Sequence, residues 1–145
     1  MSEDGRVVCV HCGAVNRVPS ARNAAEAKCG RCGKPLFEGK PADVSAEMVD
    51  RQMTKGTLPV VVDVWAPWCG PCHAMAPEFE KAAKAGEPGM RFLKLNSDEH
   101  QAMAARFGIR GIPTMLLLRN GKEVARISGA MSSSQIIGWL GQQHP

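Results

Sequence analysis

No stretch of this chain is both long and apolar. Its apolar runs, Val60–Val62 and Met115–Leu118 among them, reach at most four residues, far short of the ~18 that a membrane span needs. No sign of charge dominates either. Lys and Arg number 18 against 14 Asp and Glu, and the resulting +4 over 145 residues is too mild and too dispersed to indicate nucleic acid or a membrane surface. Met1 to Val8 hold neither an apolar core nor a small-residue cleavage site, so no secretory leader is expected. Low-complexity tracts are lacking, and nothing repeats except C-x-x-C. What remains is a chain 44% hydrophobic and 22% charged, able to bury a core as one domain or as one domain with an appendage.

Against that background the six cysteines stand out, because all fall in C-x-x-C pairs: Cys9/Cys12, Cys29/Cys32 and Cys69/Cys72. In a secreted chain they would suggest a disulfide scaffold. Without a leader they are expected to be metal or redox sites in a reducing compartment, the cytoplasm.

The chain changes character near residue 40. Residues 1–38 hold four cysteines, few large apolar side chains and no sustained period; residues 39–42 read as a linker; residues 43–145 are patterned as an α/β domain. Ser45 caps a helix bearing Met48, Val49 and Met53, which Gly56 ends. Val60–Trp65 is apolar on both faces, as a central strand would be. A helix from the third pair to about Lys84, a strand over Met90–Asn96 and a helix over Glu99–Phe107 follow. Strands over Pro113–Arg119 and Glu123–Ser128 flank the hairpin signal Asn120-Gly121, and Ser132–Ser134 cap a last helix through Trp139. The predicted architecture is a mixed sheet with helices on both faces and the hairpin at one edge.

The first two pairs have the spacing C-x₂-C-x₁₆-C-x₂-C, each followed by glycine (Gly13, Gly33). That spacing points to zinc. Thiolates from Cys9, Cys12, Cys29 and Cys32 complete a tetrahedron with no open position, so the ion is expected to be structural. A segment this short needs the metal in order to fold. Iron in a Cys₄ site, two disulfides and four free thiols are the alternatives. Compartment opposes the disulfides and clustering opposes the free thiols. His11 is a weaker candidate ligand. Arg17, Arg22, Lys28, Arg31 and Lys34 have no interleaved aromatics, so they read as a solvated face rather than a nucleic-acid site.

The third pair lies where the buried strand turns into a helix, as Trp68-Cys-Gly-Pro-Cys72. Pro71 suits the first helical turn. The free N–H groups and dipole of that turn favour a thiolate at Cys69. Cys72, Met75, Phe79 and Ala83 share the helix face toward the core, so Cys72 is expected to be sheltered and Cys69 more exposed. This is the asymmetry that thiol–disulfide exchange uses. Asp63, in a strand buried on both faces, is costly unless paired or functional. Cys69-Gly-Pro-Cys72-His73 also fits the haem pattern C-x-x-C-H, but the lack of an export signal and the sheet-forming flanks argue for no haem.

Asp63-Val-Trp-Ala-Pro-Trp-Cys-Gly-Pro-Cys72, Lys94-Leu-Asn96, Gly108-Ile-Arg-Gly-Ile-Pro-Thr114, Asn120-Gly121 and Gly129, in that order, resemble the thioredoxin family. With the cysteine-rich start, including Asn16-Arg17, the chain is similar to the bacterial thioredoxin 2 subgroup. The resemblance implies a thioredoxin fold preceded by a small Cys₄ zinc ribbon, acting as a protein-disulfide reductase. It makes Cys69 the nucleophile and Cys72 the resolving thiol. Asp63 becomes the buried carboxylate that assists Cys72, with Lys94 as its basic partner, and Pro113 the cis-proline facing the dithiol. Trp68, Gly70, Pro71, Gly111 and Ile112 form the substrate-docking rim. Disulfide-containing proteins are the implied substrates, and an NADPH-dependent thioredoxin reductase the implied electron source. No nucleic acid or membrane partner is expected, and the chain is expected to be a monomer. The competing reading is a zinc-dependent binding or regulatory module with ancillary redox activity. A further reading joins the two, with the zinc thiolates themselves sensitive to oxidation.

Overall fold

The computed structural model describes residues 5–19 and 23–143; Arg22 lies outside them. Its organising element is strand β4 (Val60–Trp65), in which every residue before Trp65 is buried. Alternation along it sends Val60, Val62 and Val64 to one face and Val61 to the other, so two separate apolar layers form on one strand. On the first face they meet Leu93 and Leu95 of β5 (Arg91–Asn96) and Leu116 and Leu118 of β6 (Thr114–Arg119). Helices α1 (Ala46–Lys55) and α3 (Gln101–Arg106) cover that face through Val49, Met53 and Met103. On the second face Phe92, Met115 and Leu117 pack under Met75 and Phe79 of α2 (Gly70–Gly86) and Ile136 and Leu140 of α4 (Ser133–Gln142).

The sheet order is β3-β5-β4-β6-β7, with β3 (Ala42–Asp43) and β4 parallel to β5, and with β6 and β7 (Lys122–Ser128) antiparallel. Asn120 and Gly121 both take positive φ, 53° and 77°, which a two-residue hairpin with the twist of its strands requires. Ser45 and Ser132 cap α1 and α4 as the sequence predicts, the latter in a reciprocal box with Gln135. Helix α2 runs to Gly86, slightly past the predicted end, and α3 is shorter than the predicted Glu99–Phe107.

The cysteine-rich start holds two short strands that the sequence pattern did not reveal, β1 (Gly5–Val8) and β2 (Val15–Val18), paired antiparallel. The Cys9–Gly13 turn joins them, and a second turn of the same form spans Cys29–Gly33. In each, the glycine N–H donates to the first cysteine's carbonyl at 2.9 Å, with φ of 80° and 79° at Gly13 and Gly33. A side chain is strained in that conformation, which accounts for the repeated glycine.

The stretch expected as a linker is anchored at both ends. Gly39 N–H donates to Glu87 Oε1 at 3.2 Å, and Ala42 opens β3 beside Leu93. Arg91, only 3% exposed, joins the ribbon to the sheet. Its Nη1 donates to the Leu36 carbonyl and its Nη2 to the Val8 carbonyl, both at 2.9 Å. Its Nε donates to Gln52 Oε1 at 3.2 Å, and its guanidinium stacks 4.3 Å over Phe37. Because Arg91 is the first residue of β5, the ribbon sits at the strand ends opposite those that carry the dithiol.

Removing a buried hydrogen-bonded cation leaves several acceptors without partners. Arg91→Ala is expected to cost about 3 kcal/mol of unfolding free energy in a urea titration at neutral pH. A cost below about 1 kcal/mol would show that the ribbon is held by its apolar contacts alone.

Candidate redox and metal sites

Cys69 is the N-cap of α2, with Pro71 in the first turn. The Cys72 N–H donates to Cys69 Sγ at 3.2 Å, so one free amide of the helix start is aimed at that sulfur. The two cysteines form a disulfide with Cα atoms 5.2 Å apart. Cys72 lies on the buried α2 face with Met75, Phe79 and Ala83, as expected. The expected difference in exposure does not hold in this oxidised form: Cys69 is 4% and Cys72 3% exposed. The bonded sulfurs cover one another, and the Ile112 carbonyl oxygen lies 3.8 Å from Cys69 Sγ.

The residues expected to form a docking rim gather around this disulfide. Trp68 is 72% exposed, with its indole N–H donating to Asp98 at 3.3 Å. Gly70, Pro71 and Gly111 are exposed, and Ile112 is half-buried against the Cys69–Cys72 cluster. The Ile112–Pro113 peptide is cis and Pro113 is buried. A groove of about 420 Å³ opens between Trp68, Ser97, Ala104, Ile109, Gly111 and Ile112.

Behind the dithiol, Asp63 is fully buried, and neither carboxylate oxygen has a hydrogen-bond partner among the described residues. By strand alternation it faces α2, as does its register partner Lys94 on β5. Burial pushes the Asp63 carboxyl up to about 7, while the Lys94 charge pulls the other way and Asp43 adds a smaller upward push. Lys94 Nζ sits 4.6 Å over the Trp65 ring.

At the far end of the strands, the Sγ atoms of Cys9, Cys12, Cys29 and Cys32 all lie within 4.8 Å of one another. Across the pairs, Cys9–Cys32 and Cys12–Cys29 approach to 3.7 and 3.6 Å. Four thiolates at about 2.3 Å from one tetrahedral ion would stand about 3.8 Å apart, so the donor set fits a single metal ion. The Cys32 backbone N–H, then Asn16 Nδ2 and the Arg31 N–H, hold the Cys29 thiol below its ordinary range, whereas burial pushes the Cys9 thiol up to about 11, so the local field favours a thiolate at Cys29 and opposes one at Cys9. His11 turns its Nε2 to Glu38 Oε1 at 3.1 Å, away from ligand duty. Asn16 also accepts the Gly30 N–H at 2.8 Å, so one side chain locks the hairpin to the second turn. Its place between the pairs was visible in the sequence, but its bonding was not.

Residues 40–142 match the family model described as Thioredoxin, and residues 8–34 the one described as Thioredoxin 2, N-terminal. The chain belongs to the thioredoxin family. Thioredoxin C-3 of Corynebacterium nephridii is 39% identical over 137 residues, 94% of each chain. Among solved structures, a thioredoxin of Malassezia sympodialis superposes with a TM-score of 0.68 at 30% identity, covering 75% of this chain and 95% of that one. A mutant thioredoxin from Halobacterium salinarum does so at 0.66 and 26% identity, with the same coverage. The chain is thus a protein-disulfide oxidoreductase of that family, with an N-terminal four-cysteine ribbon able to hold a metal ion. No helix among the described residues is long and apolar enough to cross a membrane.

A carboxyl whose folded pKa is raised contributes its stability at low pH and loses it as pH rises through the folded value. For Asp63 the window runs from 3.8 to about 7, which corresponds to about 4 kcal/mol at about 1.4 kcal/mol per pH unit. Asp63→Asn in the oxidised protein is therefore expected to raise the melting temperature at pH 8 and to converge on the parent below pH 4. Parallel melting curves at all pH values would contradict the burial argument.

Proposed function

We propose that the chain reduces protein disulfides by dithiol–disulfide exchange through Cys69 and Cys72. The observation that carries this reading is the Cys72 N–H aimed at Cys69 Sγ at the start of α2. That position favours a thiolate, the attacking form. In the reduced protein the Cys69 thiolate attacks one sulfur of a substrate disulfide docked on the Trp68–Ile112 rim. A mixed disulfide forms, and the substrate's second sulfur leaves as a thiolate. The Cys72 thiol then loses its proton to Asp63, and its sulfur attacks Cys69 Sγ. The substrate's first sulfur leaves, the substrate is fully reduced, and the Cys69–Cys72 disulfide remains. A carboxyl near 7 is suited to accept that proton. Lys94, on the same sheet face, stabilises the Asp63 anion. Pro113 and the Ile112 backbone align an extended substrate segment beside the dithiol. An NADPH-dependent thioredoxin reductase restores the dithiol. The cytoplasmic reading rests on cysteine usage.

Cys69→Ser is expected to reduce turnover of a disulfide-bonded protein substrate to background, whereas Cys72→Ser should accumulate mixed disulfides at Cys69, visible by mass spectrometry. Retained turnover in Cys69→Ser would overturn the mechanism.

The ribbon cysteines bind one zinc ion in a structural role, since four sulfurs leave no position for a substrate. The fit of the donor set and the packing of the ribbon away from the dithiol favour this over a catalytic metal. Metal analysis should give one zinc per chain. Thiol titration of the reduced protein should find two reactive groups, and four more once a chelator is added. Six groups reacting together without a chelator would refute the metal assignment.

A further inference from the structure

His73 follows the second cysteine directly, and the mechanism above gives it no task. The residue is exposed, but its ring makes two contacts. Nε2–H donates to the carbonyl oxygen of Pro67 at 2.6 Å, and the ring stands edge-on to Trp65, with centroids 6.2 Å apart and planes at 73°. The carbonyl that it binds belongs to the turn that delivers the nucleophile. Within that turn the Cys69 N–H donates to the Ala66 carbonyl at 3.1 Å, and on the helix side the His73 N–H donates to the Cys69 carbonyl at 3.2 Å.

Pro67 and Trp68 are exposed, and the Trp68 ring is tethered at its far end by Asp98. His73 reaches back from the first turn of α2 and closes a loop through Pro67, Cys69 and Cys72. The latch grips the chain on both sides of the attacking sulfur without touching that sulfur.

We propose that His73 is a positioning residue for Cys69. Its bond to the Pro67 carbonyl holds the Trp68–Cys69 segment in place when the Cys69–Cys72 bond opens. The proposal rests on the dithiol reading given above. The closed disulfide fixes the Cys69 side chain to Cys72 of α2, but in the dithiol and mixed-disulfide forms only the backbone joins Cys69 to the helix. In both of those forms Cys69 Sγ must be in line, first with the substrate sulfurs and then with Cys72 Sγ, and reaction rates depend steeply on such alignment. A latch made by a side chain of α2 to the backbone before the nucleophile survives every step, because neither partner takes part in the exchange. The bond requires an N–H donor at the position of Nε2, not a charge.

The test compares His73→Leu, which removes the donor, with His73→Gln, whose side-chain amide can present an N–H to the same carbonyl. For His73→Leu, kcat for reduction of a disulfide-bonded protein is expected to fall about fivefold, as for loss of one hydrogen bond, with KM and melting temperature little changed. His73→Gln should recover to within about twofold of the parent. In the reduced protein, amide hydrogen exchange at Trp68 and Cys69 should accelerate in the Leu variant and return toward the parent rate in the Gln variant. Exchange needs no substrate, so it reads the latch even if the dithiol reading fails. Unchanged exchange and kcat in His73→Leu would overturn the proposal. So would a Gln variant no better than Leu, which would mark the role as one of charge.

Discussion

A single guanidinium binds together parts of the chain that are distant in sequence. Arg91 opens β5, yet its donors end on carbonyls of β1 and of the strap after the second cysteine turn, and on the Gln52 side chain of α1. Its charge lies 3.9 Å from the Glu87 carboxylate at the end of α2. Burial penalises both groups: it lowers the pKa of Arg91 and raises that of Glu87, each offset in part by the other's charge. A planar five-donor fork suits the task, because neutral carbonyls on several elements must be satisfied from one point. The ribbon has a small core of its own, with Val7, Val18, Leu36 and Phe37 around two cysteines. Bonded in this way it becomes an extension of the sheet domain rather than a tethered appendage.

The sheet, in turn, separates two kinds of sulfur chemistry. The metal-fitting cluster sits where β4 and β5 begin, and the dithiol where β4 ends. At the first, backbone N–H groups and Asn16 surround sulfurs arranged to share one ion. At the second, a helix start favours one thiolate, and a buried carboxylate lies in the strand behind it. On the reading proposed above, the same preference of sulfur for nearby N–H groups serves a static site in one place and a reactive site in the other. What differs is closure: four sulfurs around one point leave no room for a substrate, whereas an open groove lies between Trp68 and Ile112, the neighbours of the dithiol.

Much of this was legible in the residues. The doubly apolar run of Val60–Trp65 marked a central strand, and the serine caps and Asn120-Gly121 marked element ends through local hydrogen bonding and φ preference alone. Cysteine spacing separated four sulfurs from two. The ribbon strands were not legible, because four-residue strands pinned by tight turns carry too few positions to show a period. Ala42 reads as the end of a linker and Asp43 as the start of the domain, with no strand expected, because a two-residue edge strand owes its existence to its neighbour β5. The expected exposure of Cys69 relied on helix phase, which says nothing of the Ile112 carbonyl arriving from another loop.

The order of residues along the chain assigned the sulfurs to their groups, since spacing limits which thiols can meet at one point. It also determined that one pair begins a helix. Only the folded chain placed the two groups at opposite ends of the same strands. Only it showed that Arg91 and His73 bind backbone carbonyls remote from or preceding them. A carbonyl acceptor is present at every residue and leaves no mark in side-chain identity. Which carbonyl meets which donor is set by the packing of the elements that carry them.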